Sequence, residues 1–134
     1  MPLGHIGLNV PNLARARECY DGLMPLVGYE LFFAVDDQFS YQPLEGKPGT
    51  RIFFYGSEAT GDYSRLRTGL QHLAFIVKTR AAVETVHAWA VARGDRVVHA
   101  PKEFPEYHPG YYATFWLDPE GFMLEAVCHR DESS

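Results

Sequence analysis

Cysteine is scarce in this chain. Cys19 and Cys128 are too few to staple a small secreted domain, and their spacing lacks the paired pattern of a zinc site. They read as reduced thiols and predict a cytoplasmic protein. Basic residues are in the minority, with 12 Lys and Arg against 17 Asp and Glu. The resulting net charge of -5 argues against nucleic acid and an anionic membrane as partners, because both are held by clustered positive charge. Long apolar runs are missing too. No segment approaches the roughly 18 apolar residues of a membrane span, and Met1-Pro2-Leu3-Gly4-His5 lacks the basic-then-apolar order of a secretion signal. What remains is an ordinary globular composition, 46% hydrophobic and 22% charged. At 134 residues it suits one domain and not two ordinary ones. Aromatic residues are the one excess, with 8 Tyr and 9 Phe.

The chain repeats itself. Leu3-Gly4-His5-Ile6-Gly7-Leu8-Asn9-Val10 reads like Leu70-Gln71-His72-Leu73-Ala74-Phe75-Ile76-Val77, with the two histidines 67 positions apart. Each run is short and apolar, which predicts a strand buried largely on both faces. A helical pattern follows each, through Leu13, Ala16, Tyr20, Leu23 and Met24 and through Ala82, Val86, Trp89, Ala90 and Arg93. Both helices are predicted to stop at glycine, Gly28 and Gly94. Strands are then expected over 29–34, 38–41 and 51–55 in the first half, and over 96–99, 111–117 and 122–127 in the second. Asp118-Pro119-Glu120-Gly121 forms the last hairpin turn. The reading is α+β, two β-α-β-β-β modules within a single domain 1–134: module one 1–56, linker 57–68, module two 69–130, and a frayed tail from Asp131 to Ser134.

Alternate strand residues share a face, so small residues sit two positions beyond both His5 and His72. Glu125 stands among Met123, Leu124, Ala126 and Val127. An ionised carboxylate buried alone is costly, and such groups are normally paired, protonated or metal-bound. If the halves pack as equivalent units, two strand histidines and this glutamate can converge into a site for one divalent metal ion, Fe, Mn, Ni, Co or Zn. The alternatives are hydrogen-bonded core histidines and an edge-strand Glu125 facing water. His87, His99 and His129 read as helix-surface or strand-end residues. His108 lies in Phe104-Pro105-Glu106-Tyr107-His108-Pro109-Gly110-Tyr111-Tyr112, which suits either a loop closing over a substrate or a surface loop packed on its own tyrosines. Tyr111 shares parity with Phe115 and is expected to face the cleft, with Tyr112 facing away. Arg51, Phe53 and Tyr55 share another face, where Arg51 either holds an anionic group or faces solvent.

These residues resemble the vicinal oxygen chelate superfamily. It includes glyoxalase I, fosfomycin-modifying enzymes, methylmalonyl-CoA epimerase, extradiol dioxygenases and the metal-free bleomycin resistance proteins. Leu3-Gly4-His5-Ile6-Gly7-Leu8 with Asn12-Leu13 is similar to the family's opening strand and helix start. Gly69-Leu70-Gln71-His72-Leu73-Ala74-Phe75 is similar to its second opening, and Asp118-Pro119-Glu120-Gly121-Phe122-Met123-Leu124-Glu125 to its closing hairpin. The resemblance implies two modules forming a cupped mixed β-sheet, a small-molecule substrate with vicinal oxygens, and a homodimer. It also implies metal ligands His5, His72 and Glu125.

Departures narrow the reading. Counting four residues past the turn glycine places Phe53 opposite Glu125, where glyoxalase I-like enzymes keep a carboxylate and the epimerases a polar ligand. Gly7 stands where the fosfomycin enzymes have threonine. The active-site tyrosine of extradiol dioxygenases falls at Phe115, with Tyr111 further back on that face. The leading expectation is a metal-dependent lyase, isomerase or ring-cleaving dioxygenase, with Tyr111 or His108 as acid/base and Arg51, Phe53, Tyr55 and Phe115 contacting substrate. Its rival is a metal-free protein of the bleomycin-resistance kind that sequesters a flat ligand among aromatic side chains.

Overall fold

A computed structural model describes residues 2–59 and 61–130; the expected frayed tail, 131–134, lies outside the described residues. The chain divides into two compact units, Met1–Gly61 and Asp62–Ser134. The first contains β1 (His5–Val10), α1 (Leu13–Leu23), β2 (Tyr29–Val35), β3 (Gln38–Pro43) and β4 (Arg51–Gly56). The second contains β5 (Leu73–Ile76), α2 (Arg80–Arg93), β6 (Arg96–Glu103), β7 (Tyr112–Leu117) and β8 (Met123–Cys128). Their sheets have the same plan, in the orders β1-β4-β3-β2 and β5-β8-β7-β6. In each, the opening strand runs parallel to the closing one and the other pairs are antiparallel.

Local chemistry fixes the helix ends. Asn12 Oδ1 accepts from the Arg15 N–H at 3.0 Å to open α1, and Thr79 Oγ1 accepts from Ala82 N–H at 3.0 Å to open α2. Gly94, at φ 83°, closes α2 in the left-handed conformation that glycine adopts without steric cost. The first helix reaches its expected stop at Gly28, which closes it at φ 85°, but in two parts. It tightens after Leu23 into a 3-10 helix, Met24–Val27, because Pro25 has no N–H with which to continue the α-helical ladder.

Each unit has its own core. In the first, α1 turns Ala16, Cys19, Tyr20 and Leu23 inward; the Tyr20 ring lies 4.5 Å from that of Phe54, which stacks on Phe39 at 4.8 Å. In the second, Val83, Val86 and Ala90 of α2 are buried. Every residue of β8 is buried, so both of its faces are covered. On one of those faces, Met123 and Val127 join Ala113, Phe115 and Phe104 in an apolar cluster. Strand alternation sends Glu125 to that same face.

The expectation that both histidine strands are buried on two faces needs correction. In β1 only Leu8 and Val10 are buried, and in β5 only Phe75. Both strands are the end strands of their sheets, which leaves one side and one edge open. Among the described residues no helix is long and apolar enough to cross a membrane.

Candidate functional site

Glu125 is 1% exposed on an interior strand, which rejects the edge-strand alternative. Register places it beside Ala74 of β5 and Phe115 of β7. Both carboxylate oxygens have company. The Tyr111 hydroxyl donates to Oε2, and His72 Nε2 lies 3.3 Å from Oε1. On the other side of the imidazole, Nδ1 meets Gln71 Oε1. That oxygen can only accept, so Nδ1 carries a hydrogen and Nε2 is the nitrogen that faces Glu125. Burial, followed by the hydrogen bond to Glu125, pushes the Tyr111 phenol well above its ordinary range. This phenol stays protonated at neutral pH.

His72, Tyr111 and Glu125 line a cavity of about 400 Å³. Its apolar wall comes from Phe104, Phe115, Val98 and Met123; Tyr107, His99, Arg65 and Gln71 complete the lining. Phe104 and Phe115 meet edge to face at 5.5 Å, with His99 at about the same distance from each, 5.6 and 5.5 Å. Tyr111 is brought in by its loop. Phe104 N–H donates to Tyr111 O at 2.8 Å, Tyr107 N–H to Phe104 O at 3.1 Å, and Tyr111 N–H to His108 O at 3.2 Å. The aromatic segment between β6 and β7 is therefore a tied loop whose last residue points to Glu125, while Tyr112 turns away to donate to Glu84 on α2.

His108 does not line the cavity. It packs against Tyr111 with ring centroids 5.3 Å apart, and its Nδ1–H donates to Pro109 O at 2.7 Å. Its Nε2 shares a hydrogen bond with His129 Nδ1 at 2.9 Å.

The remaining sequence candidates lie in the first unit. β1 and β4 pair in the register His5 with Arg51, Gly7 with Phe53 and Asn9 with Tyr55. The exposed His5 ring stands edge-on to Phe53 at 5.2 Å, and Phe53 lies nearly parallel to Tyr55 at 6.3 Å. Gly7 matters here because a Cβ on it would stand 3.1 Å from the Tyr55 ring. The Arg51 guanidinium lies over the Phe32 ring at 4.7 Å.

Within neither unit do three or more of the described His, Cys, Asp and Glu side chains gather into a metal-ready group. Two do meet, His72 and Glu125, and they suit a divalent cation. An imidazole lone pair facing a carboxylate oxygen is repulsive unless a proton or cation stands between them. Donors about 2.0–2.2 Å from one ion stand roughly 3 Å from each other, close to the 3.3 Å seen.

The family follows from comparison. The Glyoxalase/Bleomycin resistance protein/Dioxygenase superfamily model matches residues 3–126. The chain belongs to this superfamily. It is 26% identical over 128 residues to the uncharacterized protein YqjT of Bacillus subtilis, covering 92% of this chain and 95% of that one. Its structure is similar to that of a candidate glyoxalase from Bacillus halodurans, with TM-score 0.79, 28% identity and 95% of each chain covered. It also shares its fold with a glyoxalase/bleomycin resistance protein from Albidiferax ferrireducens, with TM-score 0.76, 17% identity, and 96% and 98% of the two chains covered. The two four-stranded mixed sheets with a helix each are the fold of this superfamily.

Several lining residues escape sequence reasoning. His99 is exposed as expected, but a strand ending at residue 99 gives no sign that it lines a cavity. β6 instead continues to Glu103 through an irregular register around Pro101, a tolerated place for proline on an end strand. That continuation sets His99 opposite Phe115. Arg65 is hidden in the polar stretch read as a linker, and Gln71 beside the more conspicuous His72.

Proposed function

We propose that this superfamily member is a metal-dependent enzyme acting on a small substrate with two adjacent oxygens, its divalent cation held by His5, His72 and Glu125. The observation that carries the reading is the approach of Tyr111 and His72 to opposite oxygens of one buried carboxylate on the wall of a cavity. A bound divalent cation supplies Lewis-acid stabilisation of an oxyanion that develops on the substrate.

The chain's own residues do the rest. Gln71 fixes the His72 tautomer so that Nε2 can ligate. Tyr111, its hydroxyl proton held on Glu125, is the acid/base group, and His108 supports its ring from behind. Phe115 is the apolar wall that excludes water. His5 is the third ligand and carries Arg51, Phe53 and Tyr55 on the adjacent strand as further substrate contacts. The protein is a homodimer in this reading. Phe53 in place of a polar ligand turns it away from glyoxalase I and epimerase chemistry and toward a lyase, isomerase or ring-cleaving reaction with three protein ligands.

The test uses acetohydroxamate, a small probe with adjacent oxygens. Calorimetric binding to protein purified without chelator, abolished by EDTA and by His72→Ala, supports the proposal. Binding that EDTA leaves unchanged overturns it in favour of metal-free sequestration.

A further inference from the structure

The cavity has a cation that the proposed chemistry does not use. Arg65 lines it, half-buried, on the segment that leads into β5. Short bonds fix that segment. Arg67 N–H donates to Ser64 O at 3.1 Å, Leu66 N–H to Ser64 Oγ at 3.1 Å, and the Arg67 guanidinium to Asp62 O at 2.9 Å. Tyr63 clips it to the sheet, its hydroxyl donating to Leu70 O and its ring standing edge-on to Phe122 at 4.6 Å. Arg65 is thus carried on an ordered loop, and among the described residues no ion pair engages its guanidinium.

The rest of the lining limits what can sit beside this arginine. Phe104, Phe115 and His99 present ring faces and edges, which suit a planar apolar group. At about 400 Å³ the space is near the lower end of small-molecule pockets, roughly 300–1,000 Å³. Glu125 is taken up by His72 and Tyr111, the proposed cation is taken up by the substrate's adjacent oxygens, and Arg65 is, among the described residues, the one Lys or Arg side chain of the lining. A ligand's negative group is therefore sent to Arg65. A guanidinium answers a planar carboxylate with two parallel N–H donors.

Taking the cavity as the substrate site of the function proposed above, we infer that Arg65 makes it selective for small aromatic carboxylates, with the acid on Arg65 and the ring against Phe104 and Phe115.

Calorimetry on the full chain with benzoate and 3-phenylpropanoate, against benzamide and 3-phenylpropanamide, tests this. Each acid binds about tenfold or more tightly than its amide. Arg65→Met removes that preference while leaving amide affinity within about twofold, and Arg65→Lys keeps part of it. Equal binding of acids and amides, binding of neither, or an unchanged ratio in Arg65→Met overturns the inference. Metal uptake is measured on the same wild-type samples. A chain that takes up cation without preferring acids overturns this inference alone; one that prefers acids without taking up cation overturns the metal reading alone.

Discussion

The Tyr111 hydroxyl donates to Glu125, a carboxylate 1% exposed in the middle of β8. Removing the donor leaves Oε2 buried without a partner, at a cost of about 1–3 kcal/mol. Tyr111→Phe is therefore expected to lower the stability of metal-free protein by that amount, measured by urea unfolding, and to abolish turnover. A variant as stable as wild type contradicts the arrangement.

Gln71 acts on the site through His72. Without its Oε1 the imidazole is free to move its hydrogen to Nε2 and lose the orientation that ligation needs. Gln71→Ala is expected to weaken divalent-metal affinity by about 10–100-fold while leaving the fold intact. Metal titration followed by circular dichroism checks both parts, and unchanged affinity refutes the tautomer argument.

Tyr112 predicts a pH dependence away from the cavity. Its hydrogen bond to Glu84, ahead of burial, pushes its phenol up to about 12 from the ordinary 10.0. A raised folded-state value means that the folded protein holds the proton more tightly, so the stabilisation is complete below pH about 10 and is lost as pH climbs through about 12. The wild-type urea midpoint falls across that window, and Tyr112→Phe shows a shallower fall. Equal slopes contradict the assignment.

In the first unit, Phe54 is fully buried between Tyr20 and Phe39. Phe54→Ala is expected to cost about 3–5 kcal/mol, the usual price of an unfilled aromatic cavity, and chemical denaturation measures it directly.

The repeat in the sequence carried most of the fold, because the two histidine strands, the capped helices and the closing hairpin each have a local signature. Glu125 was legible for a different reason, as a carboxylate surrounded by apolar neighbours in a strand pattern. Its partners were only partly so. Parity put Tyr111 on the cavity side, yet the bond between its hydroxyl and Glu125 depends on the turn through residues 104–111, which no periodicity describes. The pairing of His108 with His129 joins residues 21 positions apart and has no sequence signal. The 3-10 turn between Leu23 and Gly28 has no mark in the apolar spacing, and β6 runs past its expected end at 99 through Pro101, with the exposed His99 on the cavity wall. Burial of β1 and β5 was overestimated because apolar content does not reveal that a strand lies at the end of its sheet.

The central claim is that His5, His72 and Glu125 hold one divalent cation, and titration of chelator-stripped full-length protein with Co(II), read by its visible absorption, tests it most directly. The account predicts uptake of one equivalent per chain and its loss in each of His5→Ala, His72→Ala and Glu125→Ala. Wild-type protein that takes up no stoichiometric cobalt, or the three variants taking it up as wild type does, would contradict it.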